Sequence, residues 1–126
     1  MTSGLAGLRA NGGNPAYESS KAAQIALARA VAAAGQERGI RCNAVIPGLI
    51  DTPMAAPLMA NPDMLQPILA QYALRRPGAP EEVANMVLYL SSDEAAWVTG
   101  ATWLIKHLLG IEGGGTAAPG CCDRLA

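Results

Sequence analysis

Phenylalanine is absent from the 126 residues, and there is one histidine, His107. A single histidine excludes a site built from several imidazoles. The three cysteines, Cys42, Cys121 and Cys122, have neither zinc-ligand nor redox spacing. They predict a reduced protein without a metal, with Cys42 in a buried strand. No apolar run reaches membrane-spanning length without a charge, because Arg29 interrupts the best candidate. The opening residues lack the basic and apolar regions of a secretory signal. Charged residues make up 15% of the chain and nearly cancel, at a net charge of -1. There is thus no basic surplus to meet a nucleic-acid backbone. These absences predict a cytoplasmic protein with neither a membrane nor a nucleic-acid partner. A Gly-rich phosphate-binding turn between strand and helix is also missing. Gly12-Gly13 precedes a helix, but its spacing does not match that fingerprint, and no acidic residue follows to hold an adenine ribose.

What is present is apolar and small. Apolar residues make up 51% of the chain, and plentiful alanine and glycine predict close helix packing. The length suits one small domain, placed at residues 1–111, with a flexible Gly/Ala-rich tail at 112–126. The start, Thr2-Ser3-Gly4-Leu5-Ala6-Gly7, reads as a strand end followed by a loop. Asn14 can cap a helix and Pro15 suits its first position, so a helix is expected over residues 15–36, its alanines buried on more than one side. Residues 40–46 read as a buried parallel strand that Pro47-Gly48 ends. Residues 53–76 read as broken helix, with prolines interrupting recurrent methionines and leucines. Pro80 opens another helix with Glu81 and Glu82 solvated in its first turn. Val83, Met86, Val87 and Leu90 mark its buried face. Residues 101–105 form a second strand, and Trp97 and Trp103 are expected in the core or an interface.

The chemistry concentrates in Tyr17-Glu18-Ser19-Ser20-Lys21. Residues four apart lie on one helix face, a turn from each other. A phenol alone is a poor base at neutral pH, near pKa ~10. A fixed ammonium beside it favours the phenolate, which suits the tyrosine to exchange a proton with a substrate oxygen. The lysine is also placed to hydrogen-bond a ribose hydroxyl. Two fixed letters are a weak signal by themselves, and an ordinary helix start with a solvated lysine has the same pattern.

The order of pieces is more specific. After Tyr17 and Lys21 come Asn43-Ala44-Val45-Ile46-Pro47-Gly48-Leu49-Ile50-Asp51-Thr52-Pro53, then Arg76-Pro77-Gly78-Ala79-Pro80-Glu81-Glu82, then Val98-Thr99-Gly100. In this order the chain resembles the C-terminal half of a short-chain dehydrogenase/reductase over roughly its first hundred residues. The resemblance implies an α/β fold: part of a doubly wound, Rossmann-like parallel sheet with helices on its faces. It implies hydride transfer between NAD or NADP and a small alcohol or carbonyl, with Tyr17 as acid/base and Lys21 as its partner and ribose ligand. Pro47, Gly48, Ile50 and Thr52 match the stretch that holds the nicotinamide, just past a strand's carboxyl end. Residues 53–76 match a lid over the substrate, and the long helix matches one that packs across a dimer, so a homo-oligomer is expected.

Two features depart from the family's pattern. The family places a serine thirteen residues before the tyrosine to polarise the substrate oxygen; here that position is Gly4. Ser3, one residue earlier, is the candidate for the role if the loop shifts, although a one-residue slip turns a side chain to the opposite face. Past Ile105 the sequence diverges into Lys106-His107-Leu108-Leu109. With only two or three strands of the family's larger sheet, exposed sheet edges and open helix faces are expected. The alternative to an enzyme is an inactive remnant that associates with itself or with a full-length relative.

Overall fold

A computed structural model describes residues 1–9 and 13–106. The expected tail at 112–126, and with it His107, Cys121 and Cys122, lies outside the described residues.

The long helix, α1, spans Pro15–Ala34. It starts where the sequence predicts: the Asn14 side chain accepts a hydrogen bond from the Tyr17 amide at 3.0 Å, and Pro15 has no amide hydrogen left to satisfy. It ends two residues earlier than expected, because the chain tightens into a 3-10 turn, Gln36–Arg38. Gly39 then takes φ 65, a left-handed conformation that glycine adopts without a steric cost. One face of α1 is buried, through Ile25, Ala28 and Ala32, while Leu27 on the other is 49% exposed. The helix is therefore covered on one side, not on several.

Two strands, β1 (Ala44–Pro47) and β2 (Thr102–Ile105), pair in parallel with Val45 opposite Trp103 and Ile46 opposite Leu104. On the other edge of β1, Thr2 bridges to Val45 in parallel, with the Ser3 amide donating to the Val45 carbonyl at 2.9 Å and the Val45 amide to the Met1 carbonyl at 2.8 Å. The first segment is thus a strand end, as read from the sequence, but it continues into a 3-10 turn, Leu5–Gly7. β1 is shorter than the expected 40–46, because the Cys42 amide donates to the Thr99 hydroxyl at 3.0 Å instead of to a strand carbonyl.

The alternation of β1 explains the layers. Successive strand side chains point to opposite faces. Ala44 and Ile46 pack with Ile25 and Ala28 of α1, together with Cys42 and Leu104. Val45 points the other way, into a cluster with Leu90, Ala95, Val83, Met86, Trp103 and Ile105. Val83, Met86 and Leu90 belong to α4, Pro80–Ser91. The sheet therefore lies between α1 and α4, a partial α/β fold with helices on both faces. On α4 the buried stripe runs through Val83, Met86 and Leu90; Val87, at the edge of that stripe, is 39% exposed. Trp103 is in this core as expected, whereas Trp97 is fully exposed.

Side chains fix the ends of these elements. The Arg41 guanidinium donates to the carbonyls of Leu90 at 2.8 Å and Ser92 at 3.0 Å. That supplies both donors and positive charge at the C-terminus of α4. At its N-terminus the Glu82 carboxylate accepts from the Ala79 amide at 2.7 Å and pairs with Arg76 at 2.7 Å. Glu82 is therefore engaged rather than simply solvated. Residues 53–76 break into two short helices, α2 (Ala56–Met59) and α3 (Pro62–Leu69), the second capped by Asn61. Leu69 and Tyr72 are buried while Met54 and Met64 are exposed. Among the described residues no helix is long and apolar enough to cross a membrane.

Candidate active site

Tyr17 and Lys21 stand on the first two turns of α1, as their spacing requires. The Lys21 ammonium lies 5.5 Å from the centroid of the Tyr17 ring, within reach of a cation–π attraction. Tyr17 is 44% exposed.

The end of the first strand runs past this pair, and its backbone sets which side chain meets the tyrosine. Gly4 is extended, with φ -170, so the side chains at positions 3 and 4 face opposite ways. A Cβ on Gly4 would lie 3.6 Å from the Tyr17 hydroxyl, an ordinary contact. Position 4 is the one that faces the tyrosine. Ser3 is buried, 5% exposed, and its hydroxyl donates to the Lys21 carbonyl at 2.7 Å. The structure does not bring the Ser3 hydroxyl to Tyr17, and the loop shift that would do so is not made. Gly7 holds the same segment tightly to the helix: a Cβ there would come within 2.7 Å of the Lys21 backbone, so only glycine fits.

The loop after β1 is the second half of the site. The Gly48 amide donates to Ile105 at 3.0 Å, and the Leu49 amide donates to the Tyr72 hydroxyl at 2.8 Å. A Cβ on Gly48 would fall 2.8 Å from that hydroxyl and 2.8 Å from the Lys106 Cβ, so this crossing also needs glycine. Ile50 bridges in parallel to Gly78, but the bonds run from Gly78 to the Leu49 carbonyl at 2.9 Å and from Asp51 to the Gly78 carbonyl at 2.8 Å. In a parallel bridge of this kind the central residue's own N–H and C=O point to the other side. Those of Ile50 form no backbone hydrogen bond among the described residues. Its carbonyl takes only a long contact from the Thr52 hydroxyl, at 3.4 Å. An open N–H beside a carbonyl with a lone pair to spare is what a carboxamide pairs with. Ile50 therefore presents the pair of groups that a carboxamide complements.

Sequence reasoning missed the residues that hold this frame. Buried Asn43 donates to the Val98 carbonyl at 2.9 Å and accepts from the Ala101 amide at 3.1 Å, tying β1 to the turn before β2. Tyr72 reaches back 23 residues to Leu49. Both side chains are polar and buried, but their partners lie far along the chain, and only the Asn next to the strand was a signal of any kind. Among the described residues no group of His, Cys, Asp and Glu is arranged to hold a metal.

Two charged groups around the loop have displaced pKa values. Hydrogen bonding to Glu82, and then its negative charge, raise Arg76 above the ordinary arginine value. Burial, and then the like charge of Arg9, push Lys106 below the ordinary lysine value.

The chain as a whole is similar to known proteins. The family model described as Enoyl-(Acyl carrier protein) reductase matches residues 1–107. Dehydrogenase/reductase SDR family member 6 of Aquarana catesbeiana is 46% identical over 93 residues, 71% of this chain and 38% of that protein. The 3-oxoacyl-(acyl-carrier-protein) reductase of Thermotoga maritima is 39% identical over 112 residues, 89% of this chain and 42% of its own length. Among solved structures, 4-hydroxyisoleucine dehydrogenase complexed with NADH superposes with a TM-score of 0.81 at 29% identity, over 84% of this chain and 44% of the other. A putative 2-deoxy-d-gluconate 3-dehydrogenase from Agrobacterium tumefaciens with bound NADP gives 0.80 at 28%, over 82% of this chain and 42% of the other. The chain spans about two fifths of the length of the curated relatives it matches. On the matched sequence and the shared α/β frame, the chain belongs to the short-chain dehydrogenase/reductase family.

Proposed function

We propose that this chain carries the proton-handling and nicotinamide-facing part of an NAD(P)-dependent oxidoreductase that interconverts a small alcohol and a carbonyl. The observation that carries the reading is the pairing of Tyr17 and Lys21, with the ammonium 5.5 Å from the ring centroid, beside a strand end. NADH in one structural neighbour and NADP in another support a nicotinamide cofactor without choosing between the two.

In this reading the bound cofactor supplies or accepts the hydride. The chain's own residues do the rest. Tyr17 donates its hydroxyl proton to the carbonyl oxygen during reduction, or takes the alcohol proton during oxidation. The Lys21 ammonium stabilises the charge left on the Tyr17 oxygen and offers donors to a ribose hydroxyl. The N–H and C=O of Ile50 hold a carboxamide, Pro47 and Gly48 set the path of the loop, and the Thr52 hydroxyl, on a long contact to the Ile50 carbonyl, stands beside them. Ser3 is kept as a positioning residue: its bond to the Lys21 carbonyl fixes α1 against the first strand.

One observation favours a second reading. With glycine at position 4 and the Ser3 hydroxyl turned to Lys21, no side-chain hydroxyl from this segment polarises the substrate oxygen. A chain lacking that donor and acting through self-association, or through a full-length relative, would keep the same fold without the chemistry. The half-exposed Leu27 and the fully exposed Trp97 are apolar surface for such a contact.

The two readings separate in a titration of the purified chain with NADH and NADPH, followed by cofactor fluorescence and then by carbonyl reduction. Saturable binding with turnover that Tyr17→Phe removes supports the oxidoreductase. A folded sample that binds neither cofactor leaves the association reading.

A further inference from the structure

Lys106 is a half-buried lysine for which the proposed oxidoreductase chemistry has no use. Its ammonium nitrogen is enclosed and has no hydrogen-bond partner among the described residues. The side chain lines a cavity of about 60 Å³ with Leu49, Ile50, Tyr72, Leu74 and Ile105. That is several times the ~10–15 Å³ that one enclosed water requires. Arg76 and Glu82 stand at the same cavity but are already bonded to each other, with Glu82 also held by the Ala79 amide.

An ammonium has three donors, and leaving it buried without a counter-charge is costly. Burial, and then the like charge of Arg9, push the Lys106 pKa down. Both effects are relieved by an anion. The walls that complete the cavity are apolar, which suits an alkyl tail. A dianion such as phosphate needs more donors than one lysine supplies. We propose that Lys106 and this cavity, beneath the 47–52 loop, form a binding site for a small aliphatic monocarboxylate. The site does not depend on the oxidoreductase reading, because it requires neither Tyr17 nor a cofactor.

The test is calorimetric titration of the full chain, without cofactor, with butyrate, methyl butyrate and inorganic phosphate. Wild type binds butyrate saturably and binds the ester and phosphate at least about tenfold more weakly, as one charge-assisted hydrogen bond implies. Lys106→Met reduces butyrate affinity at least about tenfold. Leu74→Trp, which fills the cavity but keeps the lysine, does the same and guards against a misfolded lysine variant. Equal binding of acid and ester, tighter binding of phosphate, butyrate binding that survives Lys106→Met, or no saturable butyrate binding by folded wild type would each overturn the proposal. Cofactor titration of the same samples is read separately, so loss of one activity is not mistaken for loss of the other.

Discussion

The Cβ position of Gly4 lies 3.6 Å from the Tyr17 hydroxyl. Nothing stands between them that a serine side chain would displace, and the extended backbone at Gly4, φ -170, accepts any residue. Gly4→Ser therefore places a second hydroxyl where a substrate oxygen would meet Tyr17. A preorganised donor at such a point is worth ~10²–10³ in rate. If the chain turns over a carbonyl at all, Gly4→Ser raises kcat by about tenfold or more in NADH or NADPH oxidation assays. An unchanged or lower kcat in a folded variant would show that position 4 does not face the reacting oxygen.

Tyr17→Phe removes the hydroxyl and keeps the ring. Loss of a positioned acid/base costs ~10²–10⁴ in rate, while cofactor affinity, read by fluorescence, changes little. Lys21→Met affects both, because the same ammonium is assigned to the tyrosine oxygen and to the ribose. A Tyr17→Phe variant with wild-type turnover would remove the proton-transfer role.

Ile46 of β1 is a large side chain with no remaining exposure, packed against Ile25 and Ala28 of α1. Ile46→Ala should lower the unfolding free energy by ~2–5 kcal/mol, measured by urea denaturation. The loss is a cavity between sheet and helix, so α1 and its Tyr17 and Lys21 lose their support together.

Lys106 makes stability depend on alkaline pH. Its folded pKa is lowered from 10.5, by burial first and by Arg9 second, so the unfolded chain holds its proton to higher pH. Wherever the unfolded state binds more protons, stability rises with pH. The rise begins at the lowered folded pKa and is complete near the ordinary lysine value. The groups facing Lys106 across the cavity, Tyr72, Arg76 and Glu82, remain in both proteins when Lys106→Met is compared with wild type. Urea midpoints across that window should climb in wild type and flatten in the variant.

Glu82→Ala should cost more than Arg76→Ala. Both variants break the same exposed ion pair, and exposed pairs contribute little. Only the first also removes the acceptor for the Ala79 amide at the start of α4, a loss of ~0.5–2 kcal/mol for a helix cap. The difference should appear as a lower Tm for Glu82→Ala, nearly unchanged by salt.

Local signals in the sequence were sufficient where the partners are also local. Asn14-Pro15 marked the start of α1, and Tyr17 with Lys21 fixed its outward face. The count from Tyr17 back to Gly4 identified the position that faces the tyrosine. The alternation of Ala44, Val45 and Ile46 was hidden, because a strand covered on both sides is apolar throughout. Residues whose partners are distant were not legible. Ser3 is turned away from Tyr17 by a hydrogen bond to a carbonyl 18 residues along, and Tyr72 anchors Leu49 from 23 residues away. Lys106 marked only the point where the resemblance ends. Its neighbours at the cavity include Tyr72 and the Gly48 turn, which no window of sequence places beside it.

The two tryptophans give the protein an internal optical reference. Trp97 is fully exposed, whereas Trp103 is packed with Val45 and Leu90. An indole in water relaxes its excited-state dipole against solvent and emits further to the red than one among aliphatic groups. Native emission is therefore the sum of two separable bands. Iodide should quench the red band alone, and unfolding should shift only the blue one. A fluorescence-monitored melt thus reports the sheet–α4 core through Trp103, against a Trp97 signal whose surroundings do not change.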